Sequence, residues 1–273
     1  MMEILFLGTA AAEGWPGIFC ECPCCTKARL LKGKDIRTRS SVLIDEIYKV
    51  DFPPDTNWQA NKYRINLSEV EHLFVTHSHN DHYYPTELSF RAKPFAHPRP
   101  KKTLSIYGSE VVKNITTQAL GAHKKASNIS FQIIEPFVEF TAGKMTVLPL
   151  IADHDPDEIC FNYIFSYEGH NVLYGHDTGW YPEDTWRVLE RYKFDLLILD
   201  CTNGRIEEES YHLGVKGLIK VRDKLRETGS LNEKCKCVAT HFSHNGGLLQ
   251  AELENILLPE GIEVAYDGKT VII

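Results

Sequence analysis

The chain has 273 residues, 43% of them hydrophobic and 25% charged, with a formal net charge of -7 and a pI near 5.9. Those proportions fit a globular protein of one large domain or two small ones. The acidic balance argues against a nucleic-acid surface, which needs clustered Lys and Arg, and no apolar run approaches the roughly 20 residues of a membrane span.

The opening, Met1-Met2-Glu3-Ile4-Leu5-Phe6-Leu7-Gly8, lacks a basic region and a signal-length apolar segment. It reads as the first strand of the fold, so a cytoplasmic location is expected. Gly8 to Gly14 meets neither the dinucleotide glycine spacing nor GxxxxGK, and Gly268-Lys269-Thr270 lacks the upstream glycine; both read as turns. Eight cysteines in such a chain are expected to be thiols or metal ligands rather than a disulfide framework. Cys20, Cys22 and Cys25 form C-x-C-x-x-C, which a short loop can turn onto one tetrahedral ion with a fourth ligand from elsewhere. A redox or iron–sulfur site is the other reading of that loop. Cys24 falls outside the spacing, and Cys160, Cys201, Cys235 and Cys237 read as core residues.

Residues 40–52 predict one or two strands, ended by Pro53-Pro54 before a short helix capped by Asp55 or Thr56 and running toward Ile65. Leu73-Phe74-Val75 is a buried strand, and it leads into Thr76-His77-Ser78-His79-Asn80-Asp81-His82. Three imidazoles and a carboxylate within six residues are hard to explain as packing, because a carboxylate in a core is costly unless paired or bound to metal. His77 and His79, two apart at a strand end, can point the same way, while Asp81 and His82 face a second point. Such a cluster can hold one ion, or two side by side, and its ligands suit Zn, Mn or Fe. Residues 85–99 read as a proline-punctuated loop over the site, with Tyr83, Tyr84, Phe95 and His97 as candidate pocket residues. The basic run Arg99-Pro100-Lys101-Lys102 reads as a solvated loop.

Residues 104–107 form a strand, and Ser109 starts a helix to about Lys125. Strands then follow over 129–140, 144–150, 159–167 and 171–174. Two of them end in further candidate ligands, His154 and Asp177, the latter beside His176 of unassigned role. Pro182 opens a helix, 194–199 is a strand ended by Asp200, and 214–228 is an amphipathic helix. Residues 235–240 form a strand that delivers His241 and His244, 248–258 the last helix, and 262–273 a closing hairpin. Strand clusters separated by helices, in similar order in each half, predict an α/β (α+β) protein of two face-to-face sheets with helices outside.

His77-x-His79-x-Asp81-His82, then His154, Asp177 and His241, each at a strand end and in this order, resemble the metallo-β-lactamase superfamily. The resemblance covers nearly the whole chain, from Leu5-Phe6-Leu7-Gly8-Thr9 to Ala265-Tyr266-Asp267-Gly268. It implies an αββα sandwich, two mixed sheets with helices on both outer faces, as a single domain over residues 1–273. It also implies two divalent ions, Zn or Mn: His77, His79 and His154 on one, Asp81, His82 and His241 on the second, and Asp177 bridging them. Cys20, Cys22 and Cys25 with His244 look like a structural zinc site, in a loop at about 18–28, found in one branch of the superfamily. That branch contains the cyclic-phosphate phosphodiesterases of the carbon–phosphorus lyase pathway. Asp200-Cys201-Thr202 with His212, and Leu258-Pro259-Glu260-Gly261, are similar to the same branch, and His212 matches a histidine near the substrate there.

The activity this implies is metal-dependent hydrolysis of a small phosphodiester, cyclic ones included, with Asp81 and His212 as catalytic groups. A lactone or thioester could be opened by the same centre. The pyrroloquinoline-quinone biosynthesis B family shares the cysteine site but need not share the chemistry, which leaves a non-hydrolytic role as a further alternative. The partners expected are a small-molecule substrate and a second copy of the chain in a homodimer, with no nucleic acid and no membrane.

Overall fold

The structure is a computed structural model that describes residues 1–97 and 102–273; Arg99, Pro100 and Lys101 of the basic run lie outside the described residues. The first half runs β1 (Glu3–Gly8), α1 (Pro23–Leu31), β2 (Ser41–Ile44), β3 (Tyr48–Val50), α2 (Thr56–Tyr63), β4 (His72–Phe74), β5 (Leu104–Gly108), α3 (Glu110–Leu120) and β6 (Ile129–Ile133). The second runs β7 (Phe140–Ala142), β8 (Met145–Ile151), β9 (Phe161–Tyr167), β10 (His170–Gly175), α4 (Glu183–Leu189) and β11 (Phe194–Asp200). It continues with α5 (Val215–Glu227), β12 (Leu231–Thr240), α6 (Gln250–Leu257), β13 (Ile262–Val264) and β14 (Thr270–Ile272).

Two sheets result, ordered β14-β1-β2-β3-β4-β5-β6 and β13-β12-β11-β10-β9-β8-β7. Both are mixed. In the first, β14 to β3 pair antiparallel and β3 to β6 parallel. In the second, β7 to β10 pair antiparallel and β10 to β13 parallel. Alternation along β2 and β3 turns Val42, Ile44, Tyr48 and Val50 into the core between the sheets and Leu43 outward, into the outer cluster to which Val112 and Leu120 of α3 also belong. On the other side Trp186 and Leu189 of α4 and Leu218, Val221 and Leu225 of α5 cover the second sheet. The unbroken apolar runs of β10 and β11 follow from this, since strands covered on both faces need no polar side. The architecture is the αββα sandwich of mixed sheets that the resemblance implied. No helix among the described residues is long and apolar enough to cross a membrane.

Several expected boundaries move, each for a local reason. The strand expected over 129–140 is two strands in different sheets: Pro136 has no N–H to give a ladder and Phe137 turns at φ 62, so the chain crosses from β6 to β7. The closing hairpin is likewise absent. β13 pairs with β12 and β14 with β1, because Asp267 between them is anchored by Thr9 and Thr38 on the first sheet's side. The helix from Ser109 stops at Leu120, where Gly121 takes φ 46. Asp55 caps nothing, as its carboxylate is held by the Arg39 main chain and guanidinium. Tyr83 is not a pocket residue: it is fully buried in the outer layer with its hydroxyl on Thr116. Phe95 packs on Phe90 and His123.

Phe74 joins the two sheets immediately before the histidine-rich segment. From β4 its ring meets Tyr107 of the same sheet and Phe140, Tyr163 and Phe165 of the other, at centroid distances of 5.1, 6.4, 5.9 and 5.1 Å. Phe74→Ala is expected to lower unfolding stability by about 3–5 kcal/mol in urea titration, because the cavity it leaves is walled by strands that cannot close in. A loss under about 1 kcal/mol would show that the sheets are held together elsewhere.

Candidate metal centre

Parallel pairing sends the C-terminal ends of β3 and β4 to one edge of the first sheet, and those of β10, β11 and β12 to one edge of the second. The residues that follow are Asp51, Thr76-His77, His176-Asp177, Asp200 and His241. Asp51, Asp177 and His241 have φ of 60, 55 and 60. A left-handed turn costs an L-residue about 1–2 kcal/mol, and at each of these positions it peels the side chain off its strand toward the gap between the sheet edges.

Asp177 is the hub. Its side chain is 3% exposed, with Oδ2 3.0 Å from His82 Nε2, 3.3 Å from His77 Nε2 and 3.4 Å from His154 Nε2. Oδ1 faces the other way, 3.1 Å from His212 Nδ1 and 3.8 Å from His241 Nδ1, and has no aligned hydrogen-bond donor. Around it, His77 Nε2 is 2.9 Å from His79 Nδ1, which is 3.2 Å from His154 Nε2. His82 Nε2 lies 3.1 Å from Asp81 Oδ2 and 3.2 Å from His241 Nε2. All seven expected ligands therefore come together, in two overlapping groups that meet at Asp177.

The other nitrogen of each imidazole is tied down from outside. His79 Nε2 meets Asp155 at 2.9 Å, His82 Nδ1 meets Asp51 at 2.8 Å, and His154 Nδ1 meets the Tyr211 carbonyl at 3.3 Å. His77 Nδ1 and His241 Nδ1 meet the hydroxyls of Thr76 and Thr202 at 3.0 and 2.7 Å. Each hydroxyl in turn donates to a buried carboxylate, Asp51 or Asp200, so its single proton is spent and the imidazole must be the donor. By that count all five outer nitrogens carry the hydrogen, so in each imidazole, when neutral, the lone pair points inward. Imidazole lone pairs and carboxylates arranged this way fit divalent metal ions.

Electrostatics agree. Burial drives His77 well below its ordinary range, whereas at His82 burial is outweighed by Asp81 and Asp177, which pull it well above. Burial would raise Asp177, yet His241 and His82 hold it well below the usual carboxylate range. The carboxylates thus call for positive charge at this point, which protons or metal cations supply. For His212 burial works against the charge, but Asp177 and Asp200 raise it to about 10. Asp51 and Asp200 could also be counted as ligands by proximity. Their oxygens are already occupied, by Thr76 and His82 in one case and by Asp177, Thr202 and Leu213 main-chain N–H groups in the other. Their part is to orient.

The cysteine loop repeats the pattern. Cys20 and Cys22 Sγ lie 3.8 and 3.6 Å from His244 Nδ1, Cys25 joins the same cluster, and Cys24 does not. His244 Nε2 is 3.4 Å from Glu13. Cys22 caps α1 ahead of Pro23, accepting the Cys25 N–H at 3.4 Å, which folds the three sulfurs inward. Despite burial, those hydrogen bonds bring Cys22 down to about 7. The geometry fits one tetrahedral ion. Cys160, Cys201 and Cys237 are buried core residues, and Cys235 is half-buried.

The sequence pointed to neither Asp51, Thr76, Asp155 nor Glu13. Asp51 carried the one legible signal, a carboxylate ending a strand as Asp177 and Asp200 do. His176 is buried, 3.5 Å from Asp51 through Nε2, and belongs to this supporting layer.

The model of the Beta-lactamase superfamily domain matches residues 47–242. A Ribonuclease Z of Listeria monocytogenes is 28% identical over 160 residues, which cover 56% of this chain and 46% of the relative. The match thus spans about half the length of that relative. Among solved structures, a diphosphatase of the PhnP family superposes with TM-score 0.79 at 21% identity, covering 100% of this chain and 98% of the other. Zinc-bound PqqB from Methylobacterium extorquens superposes with TM-score 0.69 at 16% identity, covering 99% and 100%. At these identities the structural likeness is one of fold. The expectation that nucleic acid is excluded finds no support among these relatives; net charge sums the whole surface, whereas a substrate meets only a local part of it.

Asp51→Ala leaves the Thr76 and His82 donors buried without an acceptor. It is expected to weaken zinc retention at the His/Asp centre roughly 10–100-fold in chelator competition, while the cysteine loop keeps its ion. Equal retention by variant and parent would reduce Asp51 to a packing residue.

Proposed function

The chain belongs to the β-lactamase superfamily, and from that premise we propose that it is a metal-dependent hydrolase that cleaves a phosphodiester at the His/Asp centre. The observation that carries this reading is Asp177, a buried carboxylate with Nε2 of His77, His82 and His154 around one oxygen and the rings of His212 and His241 beside the other. In it His77, His79 and His154 would hold one ion, Asp81, His82 and His241 a second, and Asp177 would contribute to both. Divalent ions so placed lower the pKa of water to about 7 and offset charge on phosphate oxygens.

The remaining chemistry falls to the chain's own groups. His212 has Nδ1 against Asp177 and Asp200, and its Nε2 has no protein partner among the described residues. A proton held at that Nε2 serves a phosphate oxygen on binding and the leaving alkoxide on cleavage. Asp200 fixes this arrangement by accepting the Leu213 N–H beside His212 at 2.8 Å. Asp81 keeps the His82 side of the centre anionic and would serve there as a ligand. Cys20, Cys22, Cys25 and His244 hold a structural zinc in the loop at about 18–28 of one catalytic domain.

The Ribonuclease Z relatives favour a second reading, in which the phosphodiester is that of an RNA. A thioester or lactone substrate is the third.

Metal analysis together with a substrate panel tests these readings: a nitrophenyl phosphodiester, a small cyclic phosphodiester, an RNA with a 3′ extension and a thioester. Turnover of the small phosphodiesters above the others, with two ions at the centre and one in the loop, is expected. Asp177→Ala should reduce that turnover at least roughly a hundredfold along with the bound metal. Faster cleavage of the thioester would overturn the phosphodiester reading, and faster cleavage of the RNA would move it to the second.

Cys22→Ser acts elsewhere. Structural zinc supplies on the order of 10 kcal/mol to folding, so this variant should melt well below the parent while its folded fraction keeps the centre's metals. An unchanged Tm would remove the structural role from the loop.

A further inference from the structure

A cavity of about 240 Å³ lies on the outer face of the first sheet, and the metal centre makes no use of it. Phe52, Leu67, Val70, Leu73, Leu88 and Leu104 give it an apolar wall. Lys49 of β3 lines it as well, at a position where the strand alternation calls for an apolar residue. This lysine is 1% exposed. Its Nζ donates to the Ser41 hydroxyl and, at 2.6 Å, to the Asp51 carbonyl, and no carboxylate lies within ion-pair distance among the described residues. The nearby Asp51 carboxylate is engaged by Thr76 and His82. Arg91, a second cation of the lining, gives its N–H groups to the Ser127 and Lys102 carbonyls and has no carboxylate within ion-pair distance among the described residues. Glu87, the carboxylate among the lining residues, pairs with neither, and burial pushes it up toward its neutral form.

A buried cation without a bonded carboxylate is expensive, and burial, only partly offset by the Asp51 charge, brings Lys49 down to about 7. An apolar wall that includes a buried lysine with no bonded carboxylate matches one ligand chemistry. We propose that this cavity is a second binding site that takes a small amphipathic carboxylate, its alkyl chain on the apolar wall and its head group on Lys49. The anchor is shared with catalysis by contact: Lys49 holds the Asp51 carbonyl, and Asp51 holds His82. The site is thus joined to the centre through bonded neighbours.

Calorimetric titration of the metal-loaded protein with octanoate and with octanol tests the site. One octanoate per chain is expected to bind. Lys49→Met should weaken octanoate at least roughly tenfold and leave octanol unchanged, since only the charge partner is removed. Ala126→Trp, at the exposed rim of the cavity, should block both ligands without touching the core. Octanoate bound equally by Lys49→Met and the parent would overturn the anion site. So would the absence of binding to the parent, or binding that survives Ala126→Trp and therefore sits at the metal centre.

Discussion

A carboxylate taken almost wholly out of water holds this molecule's functional edge together. Asp177 is 3% exposed, and such a charge persists only where positive or hydrogen-donating partners surround it. Five imidazoles do so, from His77, His82, His154, His212 and His241. They come from segments that follow β4, β8, β11 and β12, so both sheets must present their edges to one point. Packing between the sheets, with Phe74 and its aromatic partners beside the site, is what keeps those edges in register.

Both halves of the fold solve the orientation problem in the same way. Thr76 gives its main-chain N–H and its hydroxyl to Asp51 and receives His77; Thr202 gives the same two groups to Asp200 and receives His241. Each aspartate ends or follows a strand and is buried, so its acceptor positions are fixed by the sheet rather than by a mobile loop. The inner nitrogens are thereby aimed before any ligand arrives. A centre of this kind loses little to reorganisation on binding, which is the usual advantage of building a site on rigid elements.

The same economy does not extend to Lys49. Its ammonium replaces an apolar side chain in the outer layer, where Leu43 and Leu73 are its cross-strand neighbours. What it gains is a hold on the main chain of Asp51 at a residue with φ 60. Stability in the outer layer is thus traded for geometry at the centre, and the cavity beside the lysine is where that trade leaves room.

The residue types of the candidate centre and their order along the chain were legible without a fold, because four histidines and two aspartates within His77–Asp177 stand after apolar runs and have no packing rationale. The C-x-C-x-x-C loop was legible for the same reason, and so was the layered architecture, from strand runs and helix patterns. What sequence did not reveal were the residues that act at a distance in the chain. Asp51, Asp155 and Glu13 are ordinary polar residues until the fold brings them to the outer nitrogens of His82, His79 and His244. The split of residues 129–140 between two sheets, and of β13 from β14, was likewise invisible, since periodicity records which face of a strand is buried and not which sheet it joins. Local chemistry fixes what a residue can do; only the tertiary pairing of strands decides which partner it does it with.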